Sequence, residues 1–149
     1  EAVRSPVTFT LPGIERRRGG KPQPPPSPNE RLHHMCRARV TKRWRKSARM
    51  ETWAATNGLG PALIANNSRL NIALTLVSVG EFDGDNLDAA LKSVRDGICD
   101  DLWRNCRDHD ADRSTGKMCG NRHDTDPRLA WRFQQERGPV ALVRIEVTW

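Results

Sequence analysis

Nowhere in this chain do apolar residues run on for the roughly 18–20 positions that a membrane-spanning helix needs. The most apolar stretch, Leu70–Val79, is interrupted by Asn71, Thr75 and Ser78. The opening, EAVRSPVTFTLPG, lacks the apolar segment of a secretory signal. No internal repeat is visible. Cysteines number only four in 149 residues. Without a signal they read as cytoplasmic thiols or metal ligands ahead of disulfides. Acids are outnumbered as well, 18 against 25 Lys and Arg, for a net charge of +7. These shortages exclude a helical membrane protein and a disulfide scaffold. They leave a single cytoplasmic domain, 1–149, whose surplus positive charge suggests a polyanionic partner, most often nucleic acid. The competing reading of the charge is a basic protein with no such partner.

Patterning predicts a mixed α/β (α+β) fold in the order β-α-β-α-β-β, with about four strands and two main helices. Val7–Leu11 alternates as a short first strand, and Pro12 stops it. Residues 12–30 form a loop dense in Pro, Gly and Arg, for which neither regular structure nor tight packing is expected. The first helical region runs from Arg31 to a stop at Asn57-Gly58, with Leu32, Met35, Val40, Trp44, Ala48 and Trp53 as its expected buried side. Leu70–Val79 is apolar on both faces, which predicts a central strand. A second helix is expected from Asp85 to Trp103. Arg128–Gln135 and Val140–Val147, flanking Arg137-Gly138-Pro139, read as a hairpin.

The segment FDGDNLDAALKSVRDGI, Phe82 to Ile98, carries the chemistry. Two acids, Asp83 and Asp85, follow the apolar strand directly and open a helix. At about 100° per residue, Lys92 and Asp96 fall within about 20° of Asp85, while Leu87, Leu91, Val94, Ile98 and Leu102 share the opposite side. Acids at a helix start have a plain structural use, since they cap it and complement its dipole. That use does not require Asp83 as well as Asp85. Carboxylates held close repel unless a cation or a shared proton compensates. An oxygen-only cluster suits Mg²⁺, which takes one or two carboxylates, waters and substrate phosphate oxygens. On a basic chain this pairing points to phosphodiester hydrolysis.

Two other uses of an Asp-x-Asp pair fail on neighbouring residues. An EF-hand loop beginning at Asp83 needs Gly at its sixth position and an acid at its twelfth; the chain has Asp88 and Val94. The aspartyl phosphotransferase pattern usually places Thr two residues after the second Asp, where this chain has Leu87.

Strand, DGDNLDAALKSVRDGI, polar loop, DTDPRLAW and a terminal VRIEVTW strand together resemble the RusA family of Holliday junction resolvases, in particular its phage-type branch. The likeness runs from about Val7 to Trp149 and includes TLPG, the Pro-rich loop and Asn29. The resemblance implies a homodimeric, Mg²⁺-dependent endonuclease (Mn²⁺ as substitute) that cuts four-way DNA junctions symmetrically in a bacterial or phage-infected cell. It implies that Asp83, Asp85 and Asp126 are the catalytic, metal-binding acids, with Asp124 as the alternative to Asp126. Better-known members carry a Lys four residues after the second acid. Here that position is Ala89, and Lys92, three residues on, is the candidate for the role. Pairing of Lys92 with Asp88 or Asp96 across one turn is its structural alternative.

The loop from Asn105 to Arg122 is long for that family. Cys106-x2-His109 and Cys119-x3-His123 have spacing compatible with structural Zn²⁺, with Cys99 as an alternative ligand; a mobile loop without metal is the competing reading. Arg37, Arg39, Lys42, Arg43, Arg45 and Lys46 form a basic stripe on the first helix, expected to contact DNA phosphates. A nucleic-acid-binding relative without catalysis is the alternative function. It is disfavoured because Asp83, Asp85 and Asp126 would place negative charge toward DNA without a catalytic return.

Overall fold

The computed structural model describes residues 3–82, 84–105 and 123–149, with His123 described by its backbone alone. Its elements are β1 (Val7–Pro12), α1 (His34–Ala55), α2 (Gly60–Asn66), β2 (Leu70–Ser78), α3 (Gly84–Ala90), α4 (Lys92–Leu102), a 3₁₀ turn (His123–Thr125), β3 (Leu129–Arg137) and β4 (Leu142–Thr148). The strands form one mixed sheet in the order β1-β4-β2-β3. The α+β class, the four strands and their order along the chain agree with the sequence reading.

β2 is central, as its two apolar faces require. It pairs parallel with β3, Leu70 opposite Leu129, and antiparallel with β4, Val77 opposite Leu142. The expected β3–β4 hairpin is therefore wrong: β2 lies between the two strands. A Gly-Pro turn is as compatible with crossing a strand end as with reversing beside it. Four residues span the two inter-strand spacings of about 10 Å that the crossing needs. The crossing is anchored where Gly138 N–H donates to Ser78 C=O at 3.1 Å. A Cβ on Gly138 would sit 2.5 Å from Val77 Cγ1, so any other residue there would force the valine side chain aside.

Helices cover one sheet face. On α1 the buried positions are Val40, Trp44, Ala48 and Thr52, a strict four-residue spacing. Met35 and Trp53 were expected to join them; both are exposed, Trp53 at 55%. They fall outside the narrow i, i+4 row that meets the sheet and α4. The helix ends where expected, with Asn57 and Gly58 both at positive φ and Gly58 N–H donating to Trp53 C=O.

The second helical region is divided at Leu91. The break is local, because Leu91 N–H still donates to Leu87 C=O and Arg95 N–H to Leu91 C=O. All five aliphatic residues assigned to its inner side, Leu87, Leu91, Val94, Ile98 and Leu102, are buried. α4 sits close on α1 because position 97 is glycine. A Cβ there would collide with Arg45 C=O and fall 2.7 Å from Ala48 Cβ.

The Pro-rich loop is packed, against expectation. Pro25 and Pro26 are buried, and Ile14 and Gln23 exchange backbone hydrogen bonds across its neck. Prolines supply no N–H, which leaves loop carbonyls needing donors. α1 provides them: Arg37 donates to Ser27 C=O and Glu30 C=O, Arg39 to Arg16 C=O, and Arg43 to Glu15 C=O.

Asp101 on α4 is almost wholly buried. Its Oδ1 accepts from Arg104 at 2.8 Å, and its Oδ2 has no hydrogen-bond partner among the described residues. Burial raises its pKa above the usual carboxylate value, opposed by Arg104. The folded chain therefore holds this proton more tightly than the unfolded chain. The associated stability is fully present below about pH 3.9, the unfolded value, and is lost as pH rises through the folded pKa.

Two outcomes follow. Gly97→Ala should destabilise the chain by about 1–3 kcal/mol through overpacking, despite the better helix propensity of alanine; urea denaturation measures it, and an unchanged midpoint would show that α1 and α4 separate freely. Asp101→Asn should gain in stability relative to the parent as pH rises from about 4, which thermal melts across the acid range will check.

Candidate active site and nucleic-acid interface

β2 ends at Ser78 and the chain runs through Gly80–Phe82 into α3, so the acid-rich segment lies just past the end of the central strand. Asp83 is outside the described residues. Asp85 occupies the first turn of α3 and is exposed. Its neighbour Asn86 lines a cleft of about 610 Å³, bounded on one side by the Pro-rich loop through Arg16, Lys21 and Asn29 and on the other by Phe82 and Val140. The packed loop thus forms a wall beside the acid-bearing segment.

Lys92, at the start of α4, is 55% exposed and bridges two carboxylates, Asp96 at 3.1 Å and Asp124 at 3.4 Å. Asp88, the other candidate partner, pairs instead with Arg95 at 3.1 Å. Asp124 belongs to the 3₁₀ turn before β3 and is held there by its backbone, where its C=O accepts from Trp131 Nε1–H at 2.7 Å. Two acids and an ammonium from segments 32 residues apart in sequence therefore meet on one patch.

Asp126, expected as the third acid, sits differently. Its side chain is only 7% exposed. Oδ1 accepts from the backbone N–H and Nε of Arg128, at 2.9 and 3.1 Å, and Oδ2 accepts from Nη2 at 3.0 Å. The hydrogen bond to Asp126 raises the Arg128 pKa. Arg128 also donates to Ile64 C=O and lies over the Trp103 ring. Asp126 C=O accepts from Leu129 N–H at 2.9 Å, so this residue fastens the entry to β3. Asp124 is the acid that the turn aims at α4. The two acids, only two residues apart in sequence, thus have different partners, Lys92 for Asp124 and Arg128 for Asp126.

Cys99 is buried beside this patch. Burial, followed by the nearby carboxylates of Asp124 and Asp96, pushes its thiol well above the ordinary value. It packs within the hydrophobic core. Cys106, His109 and Cys119, the other proposed zinc ligands, lie outside the described residues, as does the side chain of His123. Among the described residues no three His, Cys, Asp or Glu side chains form a metal-sized group; Asp83 is not one of those residues.

The basic stripe of α1 is divided in its uses. Arg37, Arg39 and Arg43 hold the Pro-rich loop, as described above. Arg45 clasps the buried Asp100 of α4 with two bonds, Nε to Oδ2 at 2.6 Å and Nη2 to Oδ1 at 2.8 Å, and this contact raises the Arg45 pKa. Lys42 and Lys46 are exposed and have no ion pair among the described residues.

Sequence reading missed Gln135. On β3, its Oε1 accepts from Phe82 N–H at 2.8 Å and its Nε2 donates to Phe82 C=O at 2.7 Å. The available signal was a polar residue at a strand position where the alternation set by Leu129, Trp131 and Phe133 calls for an apolar one.

Among the described residues no helix is long and apolar enough to cross a membrane. Comparison with family models, with curated proteins and with solved structures gives no match for this chain.

The division of the stripe is testable by denaturation. Arg45→Ala should cost about 1–3 kcal/mol, because it strips a two-point partner from a buried carboxylate. Lys42→Ala and Lys46→Ala should stay within about 0.5 kcal/mol of the parent. Equal effects at all three positions would mean that the Arg45–Asp100 contact contributes nothing.

Proposed function

We propose that this chain is a Mg²⁺-dependent, structure-specific DNA endonuclease that acts as a homodimer on four-way junctions, in the manner of the RusA resolvases that its sequence resembles. The observation that carries the reading is the contact of Lys92 with Asp124, 3.4 Å across two distant segments, next to the helix opened by Asp85. On this reading the third acid is Asp124, and Asp126 serves the fold through Arg128.

The donor chemistry fits the metal. Asp85 and Asp124, with Asp83, would hold Mg²⁺ through oxygen alone, as that ion prefers. Bound there, it supplies Lewis-acid polarisation of the phosphodiester and lowers the pKa of a water. The ammonium of Lys92 offsets the carboxylate repulsion that would otherwise oppose DNA and is placed to hold a phosphate oxygen. Lys42 and Lys46 on α1, together with Lys21 at the cleft, supply exposed positive charge for the backbone of the junction arms. Two-fold symmetric cuts need two sites, which a symmetric dimer provides.

A synthetic four-way junction, incubated with and without Mg²⁺, tests the proposal. The parent should cleave only with the metal. Asp85→Asn and Asp124→Asn should each lose cleavage by about 10²-fold or more while keeping junction binding, since removing an acid also removes repulsion toward phosphate. Asp126→Asn should act mainly through lowered stability. Full activity in Asp124→Asn would sink the assignment of the third acid, and full activity in Asp85→Asn would sink the catalytic reading. Binding should also weaken with salt at a log–log slope of about −5 if ~6 phosphates are contacted, and light scattering should give twice the chain mass.

A further inference from the structure

We infer that β3 aligns the proposed active site, with Gln135 and Trp131 as positioning residues that hold its two acid-bearing segments at a set spacing; the inference rests on the endonuclease reading above. Alternate residues of β3 face the helix side, opposite Ile72, Leu74 and Leu76 of β2. Each makes one connection to the site. Trp131 Nε1–H donates to the Asp124 carbonyl at 2.7 Å. The Phe133 ring lies 5.3 Å from the Arg95 guanidinium, and Arg95 in turn pairs with Asp88 of α3. Gln135 takes both the N–H and the C=O of Phe82, the residue immediately before Asp83.

The Gln135 contact is unusual in its chemistry. Phe82 lies past the end of β2, so no ladder partner fixes its peptide. One primary amide supplies both the donor and the acceptor that an adjacent strand would have supplied. Bonds to both the N–H and the C=O of Phe82 tie the two peptide units that flank its Cα, and thereby hold the chain where it approaches α3. Gln135 is exposed. Burial therefore does not account for it. Trp131 fixes Asp124 by the same strand, four residues earlier, a distance of about 13 Å along β3. Because both grips come from one rigid strand, the separation between Phe82, at the approach to α3, and Asp124 is set by its rise rather than by either loop.

Only a side chain of this length with both functions makes the contact. Met at 135 keeps length and loses both bonds; Asn keeps both functions and falls one methylene short; Glu keeps the acceptor and loses the donor. The test compares the parent with Gln135→Met and Trp131→Phe, with Gln134→Met on the opposite sheet face as control, each verified as folded by circular dichroism. Amide exchange followed by NMR reads the grip directly: Phe82 N–H should exchange about tenfold or more faster in Gln135→Met and be unchanged in the control. Mg²⁺ titration by calorimetry, and the Mg²⁺ concentration for half-maximal junction cleavage, should shift together by about tenfold in both variants, with the rate at saturating Mg²⁺ within about threefold of the parent. Unchanged Phe82 exchange overturns the grip. Faster exchange with unchanged Mg²⁺ affinity overturns the positioning role and leaves the endonuclease reading standing. A parent chain that neither binds Mg²⁺ nor cleaves overturns both.

Discussion

The close seat of α4 on α1 at Gly97 governs where the charged rim of α4 stands. Gly97 lets Ala48 and the Arg45 carbonyl approach to distances no side chain allows, and the Arg45–Asp100 clasp holds the two helices there. With α4 fixed, Val94, Ile98 and Leu102 reach the interior. Lys92 and Asp96 are left at the rim where Asp124 arrives. A larger residue at 97 would lift the rim of α4 and the lysine with it. The packing of two helices therefore sets the electrostatics of a patch that neither helix completes alone.

The charge balance of the chain is a less direct guide than its size suggests. Much of the arginine on α1 acts inward, as hydrogen-bond donors to a loop whose prolines leave carbonyls without backbone partners. Arginine suits this task because its planar fork carries five donors and reaches several carbonyls at once. A positive net charge thus arises partly from the need to tie down residues 12–30. Lys42 and Lys46 are exposed and hold no loop carbonyl among the described residues.

Much of the architecture was legible in the sequence because burial leaves a periodic trace. Alternation marked β1, two-sided apolarity marked β2 as central, and Val40, Trp44 and Ala48 were rightly among the residues assigned to the inner side of α1, though Met35 and Trp53 were assigned with them. The wheel drawn through Asp85–Trp103 separated Leu91, Val94 and Ile98 from Lys92 and Asp96 correctly, since one kink at Leu91 hardly rotates a helix. What escaped depends on contacts between distant residues. Strand order was missed because Gly138-Pro139 permits both a reversal and a crossing. The packing of the Pro-rich loop was missed because its partners are side chains of α1. The different surroundings of Asp124 and Asp126 were not legible either, because they depend on Arg128, which pairs with Asp126, and on Lys92 of α4, which pairs with Asp124.

β1 and β4 pair from Val7 opposite Val147 to Pro12 opposite Leu142. Of the four described strands, the first to be synthesised therefore waits for the fourth. α1 and α4 can meet while synthesis continues, but β1 has no neighbour until β4 emerges, and β4 in turn must find its place between β1 and β2. The sheet closes across nearly the whole contour of the chain, at the entropic cost of its largest loop. Until then β1 is an unpaired edge, and its short length and the proline at position 12 are the features that limit its pairing with another chain in the interval.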